Sequence, residues 1–153
     1  MLKVAVLLSL LISHSLVAED WVSLDKAFGF TLPDKWKVEA QEDKSVEAQF
    51  RSPDGARAIN ISVSSIPANF HLAKKTVVDS VAKMGGKVLT FDDKTEQGDS
   101  TVRYTMDIPS TGQFSVVMKF SAGKSYKWQA FTEGKVADDT EIVTAAKTVK
   151  LIK

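Results

Sequence analysis

The sequence predicts an α+β fold, an antiparallel β-sheet of about six to seven strands covered by a central helix and a C-terminal helix. Three observations predict it. In residues 58–63, AINISV, Ile59, Ile61 and Val63 alternate with Asn60 and Ser62, the two-residue period of a strand with one buried face. Past Pro67 the period changes, and Ala73, Val77, Val81 and Met84 recur at spacings of four, four and three, the stripe of a helix lying on a sheet. Further on, three alternating runs joined by tight-turn signals form an antiparallel meander. The order of strands, helix, strands, helix favours α+β over a doubly wound sheet.

In chain order, WVSL from Trp21 and FGFTLP to Pro33 are strand-like runs separated by Asp25-Lys26. Pro33-Asp34 is turn chemistry, since proline presets its φ and Asp bonds the following backbone. Trp36 to Val38 reads as a short strand, and Val46, Ala48 and Phe50 alternate with polar residues as a half-buried one. Ser52-Pro-Asp-Gly55 turns the chain into the Ile59 strand. Asn69 is placed to cap the helix, and Gly85-Gly86 to end it in the left-handed conformation. Lys87 to Phe91 is a candidate strand, and Asp92 to Asp99 reads as a solvated loop or hairpin tip. Val102, Tyr104, Met106 and Ile108 share one face, as do Phe114, Val116, Met118 and Phe120, and then Tyr126, Trp128 and Ala130. Asp138 followed by Glu141 has the capping-box spacing, and Ile142, Ala145, Ala146, Val149 and Ile152 mark the buried face of a closing helix.

The first residues, one lysine, an apolar run from Val4 to Ile12 and small or polar residues up to Ala18, fit a secretory signal peptide over 1–18. The run is about half of the roughly 20 residues a membrane-crossing helix needs, so no membrane span is expected after cleavage. Residues 19–153 then form a single domain. Removing Lys3 leaves nineteen basic residues against nineteen acidic ones, and such a neutral, mixed surface argues against a nucleic-acid partner. The chain has no cysteine, so the core carries stability without disulfides and no cysteine is present for a lipid anchor. The expected location is periplasmic or secreted.

The stretch FGFTLPDKWKVE resembles the Gly-Phe…Pro…Trp signature near the start of PsbP-like domains, which share their fold with Mog proteins and periplasmic relatives such as DcrB. Phe30, Pro33 and Trp36 carry the resemblance, and the rest of the chain follows in the order that fold requires. The resemblance implies a central antiparallel sheet covered by helices and a non-enzymatic role as accessory, adaptor or assembly factor. Immunity proteins with this fold keep that partner type open. No metal-binding or Ran-binding residue carries over.

Chemistry-bearing residues are sparse. His71 is the only histidine beyond the leader, leaving a serine triad or imidazole metal site little choice of partner; beside a helix start, an exposed neutral histidine is the commoner case. Gly123-Lys124-Ser125 lacks the glycine a phosphate loop needs five residues earlier, where Met118 stands in a strand. Asp92, Asp93, Glu96 and Asp99 offer hard oxygen ligands for calcium, but off the EF-hand spacing and with Lys94 among them, as a solvated loop would have. Trp21, Trp36, Trp128 and Phe131 are the candidate contact residues, because aromatics are enriched at interfaces; Trp128 shares its face with Tyr126, as core residues do, while Phe131 falls on the opposite face.

The expected function is a non-enzymatic adaptor or accessory protein binding another exported or envelope protein, with no cofactor. The alternative is a carrier of a small apolar ligand, which requires a concave apolar pocket of roughly 300 Å³ or more.

Overall fold

The computed structural model describes residues 19–40, 45–64, 70–96, 99–121 and 123–153. The leader, Asn69 and Ala122 lie outside the described residues, as does the His71 side chain. The strands are β1 (Asp20–Val22), β2 (Phe28–Thr31), β3 (Lys37–Glu39), β4 (Ala48–Arg51), β5 (Arg57–Ser64), β6 (Lys87–Glu96), β7 (Asp99–Ile108), β8 (Gly112–Ser121), β9 (Lys124–Thr132) and β10 (Lys150–Leu151). The helices are α1 (Ala73–Lys83) and α2 (Thr140–Thr148). Seven strands form one sheet in the order β3-β4-β5-β9-β8-β7-β6, and a smaller sheet has the order β1-β2-β10. Every pairing is antiparallel. No helix among the described residues is long and apolar enough to cross a membrane.

Strand alternation sorts the large sheet into two faces with different roofs. Ile59 and Ile61 of β5 stand opposite Ala130 and Trp128 of β9, and Val117 of β8 continues that row. Over it lie the small sheet and α2, which supply Phe28, Phe30, Ile142, Ala145 and Val149. Each of the phenylalanine, isoleucine and valine side chains among them contributes about 1.5–3 kcal/mol when taken out of water. On the other face α1 rests on β6 and β7, pressing Val77 and Val81 against Val102, Tyr104, Met106 and Val116. The two roofs are offset along the strand order, so each face keeps one uncovered quarter.

Two polar staples tie the first roof down. The Asp25 carboxylate accepts from Ser23 Oγ at 2.6 Å, Ala27 N at 3.1 Å, Lys124 Nζ at 2.8 Å and Tyr126 Oη at 2.8 Å, joining the β1–β2 turn to the start of β9. Arg57 pairs with Asp139 at 3.4 Å and with Glu141 at the start of α2, and its guanidinium lies 5.4 Å from the Trp36 ring centroid. At Gly29 the small sheet comes so close that a Cβ would sit 2.7 Å from the Trp21 carbonyl oxygen.

Several sequence expectations shift. The cap of α2 is Asp139, not Asp138: its Oδ1 accepts from Ile142 N at 3.1 Å, and Glu141 turns to Arg57 instead of back to the cap. The closing helix stops at Thr148, because Lys150 and Leu151 pair with Gly29 and Phe28 as β10; Val149 stays buried but Ile152 does not. Trp36 precedes β3, bonded through its N–H to Pro33 O at 3.3 Å. The acidic run is no loop up to Glu96: it extends β6, held by Asp92 opposite Arg103 and by the hydroxyl pair Thr95 and Ser100 at 3.0 Å. Met84 is 52% exposed, one step past the buried stripe of α1. Gly85, at φ 73°, ends that helix as expected, with its N–H on Ala82 O at 2.9 Å.

Candidate functional site

The three tryptophans belong to the first core. Trp128 is fully buried, with its ring centroid 6.2 Å from that of Phe30, and Trp36 is 5% exposed beneath Arg57. Trp21 is half-buried and packs edge-on against Phe50 at 5.8 Å. Their area is spent on packing, and none of them meets Phe131. Phe131 points to the other face, half-buried, with Phe114 beside it at 5.3 Å.

The four acids do not converge. Asp92, Glu96 and Asp99 line the uncovered quarter on the α2 side, while Asp93 stands opposite Val102 and therefore points to the α1 side. In that quarter, a groove of about 720 Å³, the acids share the space with Lys94, Arg103 and Lys119. Lys153 pairs with Asp99 at 3.1 Å, Lys94 pairs with Glu96, and Arg103 donates to the Ala146 carbonyl at 2.8 Å. Burial, then the nearby Arg103 charge, push the Lys119 ammonium below its usual range. Among the described residues no three His, Asp or Glu side chains come together as a metal site.

The other uncovered quarter is different in kind. Since α1 sits over β6 and β7, the inner faces of β8 and β9 are only partly roofed, leaving a cleft of about 480 Å³. Its walls are apolar: Val77 and Val81 from the helix, Met106 from β7, Phe114 and Met118 from β8. Tyr104 closes the floor, stacked on Phe91 at 6.3 Å, and burial pushes its hydroxyl up to about 12. Polar groups enter only from β9, as Lys127 and Gln129, and from Thr76 and Ser80 of the helix. Burial lowers the Lys127 ammonium, and no charged neighbour among the described residues offsets it. Opposite Gln129 on β5, the buried Asn60 Oδ1 has no hydrogen-bond partner among the described residues. Tryptophan content misses this site. The sequence signal for it is parity: Lys127, Gln129 and Phe131 alternate with the buried Tyr126, Trp128 and Ala130.

No protein-family model matches the chain, and no curated protein matches it by sequence. Among solved structures, it is similar to the solution structure of cyanobacterial PsbP (CyanoP) from Synechocystis sp. PCC 6803, with a TM-score of 0.63 over 89% of this chain and 94% of that one. The fold is PsbP-like. At 16% identity the likeness concerns the fold, and of the three names in the sequence resemblance PsbP is the one it bears on. The signature residues of that PsbP-like fold are structural here: Phe30 is buried at the centre of the aromatic core, and Trp36 seals its edge under Arg57.

Proposed function

We propose that the protein is an exported, non-enzymatic accessory protein that binds another protein of the cell envelope, as an assembly factor or an immunity protein does. Residues 1–18 are the leader, removed on export, and residues 19–153 are the working domain, periplasmic or secreted. The observation that carries the reading is the α1-side face. There the half-buried Phe131 packs on Phe114, and Phe114 shares its cleft with Met84, 52% exposed just past the end of the helix. A half-covered aromatic beside aliphatic side chains is the composition of an interface centre. The PsbP-like fold is in keeping with an accessory role, as fold-level analogy.

The test is affinity capture from envelope extract with the tagged protein and its Phe131→Ala variant. One partner retained by the parent and lost by the variant is the expected result; a turnover reaction in the purified protein, or identical capture by both, contradicts the reading. A second reading, a carrier of a small apolar ligand, is favoured by the cleft of about 480 Å³, which lies in the size range of small-molecule sites.

A further inference from the structure

The cleft beside α1 has a chemistry that narrows its ligand. Beyond Met1 the chain has three methionines, Met84, Met106 and Met118, and all three line it. Methionine is flexible and polarisable, and adapts to apolar ligands of varied shape. Phe114 and Met118 stand four residues apart on β8, which makes the wall roughly 13 Å long at the rise of a strand. One end of it opens towards Met84 and Ile108, and the other meets Lys127, the direct cross-strand neighbour of Met118.

Among the described residues, Lys127 is the one cation in this lining, and no carboxylate lines the cleft with it. It has no ion-pair partner among the described residues, its other cross-strand neighbour being Ser62. A partly desolvated ammonium without a counter-charge is unfavourable, and a bound anion removes that cost. An inorganic anion leaves the methionine wall unused, and a neutral hydrocarbon leaves Lys127 unpaired. A molecule with an acidic head and an alkyl tail satisfies both.

We propose that this cleft binds a medium-chain aliphatic carboxylate, its head on Lys127 Nζ and its chain along Met118, Met106 and Met84. The inference rests on the carrier reading of the cleft, which borders the partner surface through Phe114 and Met84, while Phe131 lies outside its lining. It deepens that reading by naming the ligand class and the residue that selects it.

The experiment titrates the purified protein with dodecanoate and with dodecanol, below the concentrations at which either aggregates, by calorimetry. Expected is one saturable site for dodecanoate, at least tenfold tighter than dodecanol. Lys127→Met and Lys127→Gln should each bring the two ligands to equal affinity while keeping the melting temperature. Equal affinity in the parent protein overturns carboxylate selection but leaves an apolar carrier. Binding of neither overturns both the inference and the carrier reading. Dodecanoate binding unchanged in both variants places the ligand elsewhere and overturns the inference. Absent dodecanoate binding, loss of partner capture in Lys127→Met assigns the lysine to a protein contact instead.

Discussion

The two cores of this molecule lie on opposite faces of one sheet and are built by different rules. Beneath the small sheet and α2, Phe28 stacks on Tyr126 at 5.3 Å, Phe30 meets Phe50 edge-on at 5.5 Å, and Trp128 is sealed beside them. Beneath α1, the helix buries only Val77 and Val81. Interlocked rings hold one arrangement, because removing or adding a methylene leaves a void or a clash. A methionine-lined cleft under a helix that buries two valines can repack. The first core fixes the fold, and the second face is where recognition can sit.

Substitutions sharpen the contrast. Phe30→Ala should lose about 3–5 kcal/mol in chemical denaturation, against about 1–2 kcal/mol for Val77→Ala across the sheet. Equal losses would remove the distinction. Gly29→Ala should lose about 1–3 kcal/mol, since the added methyl meets a backbone oxygen that cannot swing aside.

Asp25 gives the contrast a pH dependence. The Lys124 ammonium first, then the Ser23 and Tyr126 hydroxyls and the Ala27 N–H, hold its carboxyl well below the usual carboxylate range. A depressed carboxylate stabilises the fold above the unfolded pKa of about 3.9, and the contribution disappears as pH falls through the folded value. Asp25→Asn should therefore cost about 1–2 kcal/mol at neutral pH, discounted for partial exposure, and the gap to the parent should narrow in strong acid. A gap that widens on acidification contradicts the staple. The smallest effect belongs to Phe131→Ala, with stability changed by less than about 1 kcal/mol while partner capture falls.

Much of the fold is legible in the sequence. The Ile59 strand, the α1 stripe and the meander each keep one period long enough to declare themselves. The small sheet is not, because β10 has two residues and follows a helix whose apolar spacing runs on through Val149 to Ile152. Asp138 and Asp139 are adjacent acids, and only the backbone decides which one caps. The site is the least legible part. Three tryptophans attract attention as contact residues, yet aromatic size serves a core as readily as a surface. Which alternate face of β9 stays open depends on where α1 comes to rest, and that is a property of the packed structure.

The most direct measurement is site-specific photo-crosslinking in intact cells, with the crosslinker at Phe131 in one variant and at Leu24 in another. Leu24 is 88% exposed beside the small sheet, so accessibility alone favours it. The account predicts a discrete adduct with an envelope protein from position 131 and none of comparable yield from position 24. The same adduct from position 24 alone would place recognition on the aromatic side and contradict the account.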